Sequence, residues 1–156
     1  MIERDYIMRL IQQFSIVLSR ILFNVKIENY DQALREIEQA YRTLLNRDQN
    51  FALHTPLPEL IAEFETRGER GWEQAFIIAE LLRQEGEICE LKGDLAFTAE
   101  TLYAKSLALY SALFEHQERY KTGENRAKAA AVAGKLRRSA DEEVRRILVL
   151  FDETNG

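Results

Sequence analysis

Apolar positions recur along this chain at intervals of three and four, the spacing of one face of an α-helix, in each long stretch between breakers. They are densest near the N-terminus. From about Ile2 to Val25, the residues Phe14, Ile16, Val17, Leu18, Ile21, Leu22, Phe23 and Val25 cover nearly the whole circumference, which predicts a helix buried on more than one side. A second helix is predicted over Tyr30–Leu45, where Tyr30, Ala33, Leu34, Ile37, Ala40, Tyr41, Leu44 and Leu45 form one stripe and Asp31, Gln32, Arg35, Glu36, Gln39 and Arg42 the solvated face. The pattern then breaks. In the irregular segment of about 47–71, Thr55 and Pro56 read as the N-cap and first residue of a short helix near Leu57–Glu65, ended by Gly68 and Gly71.

Periodicity resumes in a fourth helix, Trp72–Leu91, carrying Trp72, Ala75, Phe76, Ala79, Leu82, Gly86 and Cys89, with Gly93 as its C-cap and Asp94 as the next start. A fifth, from about Leu95 to Tyr120, buries Ala99, Leu102, Tyr103, Ser106, Leu107, Tyr110, Leu113 and Phe114. The last segment, about 124–152, presents Ala127, Ala130, Ala131 and Gly134 as a small-residue packing face. Ser139 with Glu142 three residues on reads as a capping box, which suggests a break or kink there, a single unbroken helix across Ser139 being the alternative. A final helix then buries Val144, Ile147, Leu148 and Phe151. The expected fold is all-α, a compact bundle of about six helices in one domain over 1–156.

Two stretches repeat a helix-turn-helix pattern: ENYDQALREIEQAYRTLLN from Glu28 and EGEICELKGDLAFTAETLYAKSLALY from Glu85. Small residues on both helices of such a hairpin let the backbones approach closely. In the second copy these are Gly86, Gly93-Asp94-Leu95, Ala99, Tyr103 and Ser106; in the first they are Asn29-Tyr30, Ala33, Ile37 and Ala40, with Ser19 nearest the missing first-helix glycine. On these residues the two hairpins, about 2–46 and 72–121, resemble the tetratricopeptide repeat. Such repeats follow one another every ~34 residues, whereas Ala33 and Ala99 lie almost twice that distance apart, so hairpins within a compact bundle are expected and not a regular solenoid. The opening MIERDYIMRLIQQF and the segment LLRQEGEI also resemble a family of uncharacterised bacterial proteins, a likeness that brings no activity with it.

Composition narrows the class. With 156 residues, 46% hydrophobic, 30% charged and two prolines, the chain can bury a core without a staple, and disorder is expected only over the last residues, Asp152 to Gly156. The lone Cys89 suits a reducing, cytoplasmic setting. Glu3 and Asp5 stand where a secretory leader needs positive charge, and Arg20 interrupts the apolar run, so neither a leader nor a membrane partner is expected. A net charge of −5 gives no general attraction to nucleic acid.

What the repeat resemblance implies is protein or peptide binding along the first helices, at positions that fall on Arg83, Glu87 and Glu90. Tetratricopeptide clamps for a C-terminal carboxylate use Lys and Asn there, and this acidic set instead favours a basic peptide or cationic helix. A solvated surface is the plainer reading. The second expectation is a homodimer through the apolar first helix, with Phe14, Val17 and Ile21 as the seam. A third, weaker one is phosphate contact by the basic tract of Arg119, Lys121, Arg126, Lys128, Lys135, Arg137, Arg138, Arg145 and Arg146. Glu118, Glu124, Asp141, Glu142 and Glu143 interleave with that tract, and intramolecular pairing, with Glu59, Glu63, Glu65 and Glu69 as partners, is the stronger expectation. Enzyme chemistry has the weakest support, a carboxylate di-metal centre of the kind helical bundles host included. His54 and His116 lack metal-ligand spacing, Glu85, Glu87 and Glu90 lack a histidine partner, no phosphate-binding glycine loop occurs, and Cys89 falls at a core position. No catalytic, metal or cofactor residues are therefore assigned, and the expected role is an adaptor without catalytic activity.

Overall fold

The computed structural model describes residues 2–93 and 96–155, and over these the chain is all-helical. It holds eight α-helices: α1 (Ile2–Lys26), α2 (Tyr30–Leu45), α3 (Phe51–His54), α4 (Leu57–Arg67), α5 (Glu69–Lys92), α6 (Ala96–His116), α7 (Gly123–Leu136) and α8 (Glu142–Asn155). The count exceeds six because one turn of helix, α3, forms in the segment read as irregular, and because the break near Ser139 separates α7 from α8. Packing divides the chain into two compact units, Met1–Ile77 and Ile78–Gly156, with the division falling inside α5.

In the first unit α1 packs on α2. Ile7, Leu10, Phe14, Val17 and Ile21 are buried at alternating three- and four-residue steps, a narrow seam in place of the all-round burial expected. The facing residues of α2, Ala33, Ile37, Ala40 and Tyr41, are fully buried. Ser19, offered by the sequence as the small residue of this hairpin, is exposed and donates its hydroxyl to the Ser15 carbonyl. The α1–α2 turn is closed by the Asn29 N–H on the Asn24 carbonyl, 2.8 Å, and the Glu28 N–H on that of Val25, 3.0 Å. This is the two-bond helix ending that usually places glycine in the left-handed position; here Glu28 occupies it at φ 60°.

The start of α4 differs in detail from the sequence reading. Pro56 is the N-cap and Leu57 the first helical residue, while Thr55 closes α3 by its N–H on the Phe51 carbonyl. Gly68 ends α4 at φ 66°. Gly71 is not a breaker: it lies in the first turn of α5, where a Cβ would stand 2.2 Å from the Phe64 carbonyl oxygen. The pair Phe64 and Trp72, ring centroids 5.8 Å apart, fills the space beside that approach.

In the second unit α6 lies against α5, with Gly86 under the ring of Tyr103, where a Cβ would come within 2.8 Å of the ring. Ser106 is fully buried and donates to the Ala79 carbonyl at 2.8 Å. Small residues of the hairpin pattern thus admit the neighbouring helix. Asp94 and Leu95, assigned to the turn by the sequence, lie outside the described residues. Helix α6 stops at His116, a turn short of the expected Tyr120; a 3-10 turn at Glu118–Tyr120 follows. Asn125, buried, then fixes the entry to α7 by donating to the Tyr120 carbonyl at 2.8 Å.

Helix α7 buries Ala129, Val132, Ala133 and Leu136. The small-residue face predicted from Ala127, Ala130, Ala131 and Gly134 is turned to solvent. At the break the Ser139 hydroxyl takes the Asp141 N–H and bonds Glu100, and Asp141 is the cap of α8, accepting from the Val144 N–H at 3.0 Å. The C-terminal residues expected to fray continue α8 to Asn155, where Asp152 takes a bidentate bond from Arg137, both contacts 2.7 Å.

Candidate functional site

Three positions of α5 singled out by the sequence, Arg83, Glu87 and Glu90, share one face of that helix with Glu80, which the sequence reading did not select. Glu80 is fully buried. The Tyr110 hydroxyl on α6 donates to one of its oxygens. Arg83 reaches the other at 3.1 Å, and Lys128 of α7 lies 3.2 and 3.3 Å from the two. The side chains of Arg83 and Lys128 keep 19% and 23% of their surface in contact with solvent. Both cations therefore reach toward water while the carboxylate does not, an arrangement in which two snorkelling charges and a phenol hold one desolvated anion.

Two turns further along α7, Lys135 meets Glu90 at 3.1 Å, and Glu90 also accepts from the Tyr103 hydroxyl. Hydrogen bonding to Tyr103, aided by Lys135, holds the Glu90 carboxyl below its ordinary range. The acidic face of α5 is thus met by lysines of the chain's own α7. Arg83 is turned inward to Glu80 and Glu90 is shared between two internal partners, so of the three predicted contact residues only Glu87 is left exposed without such a bond among the described residues. Four residues of the basic tract form ion pairs within the chain, none with the acids named for it: Lys128 with Glu80 and Glu124, Lys135 with Glu90, Arg137 with Asp152, Arg146 with Glu142. Glu63, offered as one of its partners, bonds Arg47 and Arg67.

Burial, and after it the Glu80 charge, pushes the Tyr110 phenol well above its ordinary value; burial and the Glu90 bond do the same to Tyr103. For Arg83, burial works against the charged form, and Glu80 with Tyr110 more than offsets it, so its pKa is raised. Both phenols remain protonated in the folded chain above the pH, about 10, at which an unfolded tyrosine ionises. The unfolded state then binds fewer protons, and stability falls as pH rises past that value. The expected slope approaches about 1.4 kcal/mol per pH unit for each of the two tyrosines. Phenolate absorbance followed beside far-ultraviolet circular dichroism checks it: Tyr103 and Tyr110, identified by their replacement with Phe, should ionise only together with loss of helix.

The residues named for a dimer seam are not on the surface. Phe14, Val17 and Ile21 are 6%, 7% and 0% exposed and belong to the core of the first unit, because they face α2. The outward side of α1 carries Met8, Ile11, Ile16, Leu22 and Phe23, with Ile27 just beyond, all 41% to 60% exposed. Between them on that side stand Gln12, Ser15 and Ser19, all exposed and uncharged. By length and composition Glu3–Lys26 also meets the requirements of a membrane-crossing helix, with 28% of its most apolar stretch buried. The signal for this face was present in the sequence as an apolar excess over what one seam can bury. No family model, curated protein or solved structure matches the chain.

Among the described residues no three His, Cys, Asp or Glu side chains converge in a way that could hold a metal. His54 ends α3, His116 ends α6, and Cys89 is a buried thiol.

Proposed function

We propose that this protein is an interaction module without catalytic activity, and that the outer face of α1 is its docking surface. The observation that carries the reading is the run of exposed Met8, Ile11, Ile16, Leu22, Phe23 and Ile27 on one side of a single helix. Soluble monomers seldom expose contiguous apolar patches beyond a few hundred Å² without a binding role. From Met8 to Ile27 the face is about 28 Å long at 1.5 Å per residue, enough to lie along a partner helix. The hairpins α1–α2 and α5–α6 are, in this proposal, tetratricopeptide-like, supported by buried Ala33, Ile37 and Ala40 and by the Gly86–Tyr103 approach. The α5 set of Arg83, Glu87 and Glu90 is not proposed as the contact, since α7 already meets it.

A homodimer through the same face is the second reading, favoured by its uncharged Gln12, Ser15 and Ser19. The exposed cations Arg9 and Lys26 flank these residues, and a two-fold contact must set each apart from its own copy. The test is light scattering and affinity capture with the wild type beside an Ile16→Glu, Phe23→Glu variant, both sites being exposed so that the fold survives. Self-association or a captured protein lost in the variant supports the proposal. A monomeric wild type that retains nothing overturns it. Co-flotation with lipid vesicles, lost in the variant, would replace the protein partner with a membrane surface. Phe14→Glu, at the expected seam, should unfold the first unit instead of dissociating a dimer.

A further inference from the structure

Within the first unit, a cleft of about 570 Å³ is lined by Arg47, Arg67 and Arg70 together with Tyr6, Asn46 and Gln74, and by Leu44 and Leu45. Its charges do not balance. Among the described residues Glu63 is the carboxylate that pairs with these guanidiniums: it bonds Arg47 and lies 3.1 Å from Arg67. Arg70 has the Tyr6 ring as its partner, 5.5 Å from guanidinium carbon to ring centroid, and no ion pair among the described residues. Three positive groups against one negative leave the cleft with a surplus of two, in a chain whose net charge is −5.

The three guanidiniums are also held in place. Arg67 donates to the Gln74 carbonyl oxygen at 3.0 Å, and the Gln74 amide reaches the Tyr6 hydroxyl at 3.5 Å. Arg47 lies over the Phe51 ring at 5.0 Å, as Arg70 lies over Tyr6. Rings and amide thus fix the orientation of each fork while using few of its five N–H donors. Planar forks with free donors match the oxygens of phosphate bidentately, and orientation fixed in advance lowers the ordering cost of binding.

We infer that this cleft is a binding site for a small phosphate monoester, whose dianionic head neutralises the surplus charge of Arg47, Arg67 and Arg70. The head occupies only part of a volume that lies within the ~300–1,000 Å³ of small-molecule sites, so the remainder accommodates a polar organic group. The site is separate from the outer face of α1 and stands or falls without it.

The test is a titration followed by isotope-edited NMR of the Gln74 amide and arginine Nε–H signals. Phenyl phosphate and inorganic phosphate are the probes, at ionic strength held constant with sodium chloride. Saturable shifts are expected with phenyl phosphate, with at least tenfold weaker binding in Arg70→Ala. Arg70 is exposed, so an unchanged thermal midpoint certifies the variant's fold, and Arg70→Gln serves if Ala does not fold. Shifts that fail to saturate, or that are equal in wild type and variant, overturn the site. Inorganic phosphate binding as tightly as phenyl phosphate overturns the monoester and leaves free phosphate as the ligand.

Discussion

Replacing Glu80 with Leu should destabilise the second unit by about 3–5 kcal/mol, the usual cost of breaking a buried ion pair from one side. The carboxylate is the shared partner of the Tyr110 hydroxyl, Arg83 and Lys128, and is itself fully buried. Without it the phenol hydroxyl loses its acceptor in a site already dry, and two cations face each other across the vacated position. Part of that loss is recoverable, because Arg83 and Lys128 are not wholly desolvated and can swing their ends toward water. The triple change Glu80→Leu, Tyr110→Phe, Lys128→Met removes two of the three stranded groups along with the acid, leaving Arg83 to reach water, and should be more stable than Glu80→Leu alone. Denaturant unfolding of the single, double and triple variants measures the coupling. If the triple variant is no more stable than the single one, the cluster is not the unit its geometry describes.

The second large effect is expected at Gly71. A Cβ there would stand 2.2 Å from the Phe64 carbonyl oxygen, 2.8 Å from its Cα and 2.9 Å from the Arg67 Cβ. Two of these are backbone atoms and cannot rotate aside, so α4 and α5 must separate and the Phe64–Trp72 contact must open. Overpacking of this kind costs about 1–3 kcal/mol and sometimes more. The ~1 kcal/mol of helix propensity that alanine gains over glycine offsets only part of it. Gly71→Ala should therefore lower the thermal midpoint, while Gly134→Ala, where nothing lies within 4 Å, should raise it. The pair separates the packing role of a helical glycine from its backbone cost.

These two sites mark where the sequence could be read and where it could not. Periodicity placed α1 and α2 closely because their apolar stripes are bounded by local signals: the Asn29 cap, and Asn46 in the left-handed position at φ 54°. It misjudged Gly71, since a glycine that ends a helix and one that admits a neighbouring backbone are the same letter until the neighbour is known. It also made Ala127, Ala130, Ala131 and Gly134 the packing face of α7, whereas Ala129, Val132 and Ala133 are the residues buried there. Neighbouring small residues give helical periodicity little contrast. At the candidate site, the spacing of Arg83, Glu87 and Glu90 was legible, but their occupant was not, because the pairing of Lys128 with Glu80 spans 48 positions. The arginine cleft was invisible for the same reason: Tyr6, Arg47 and Arg70 come from separate helices and turns.

The meeting of α5 with Lys128 and Lys135 has a further consequence for ligand competition. A tethered basic helix acts at an effective concentration on the order of millimolar. An external cationic peptide must displace it before reaching Glu80 or Glu90, and its apparent affinity falls in proportion to the fraction of time α7 is detached. A peptide of micromolar intrinsic affinity would register as a non-binder in an ordinary titration. The acidic face is closed by mass action, and a charge reversal at Lys135 would change its availability without altering the face itself.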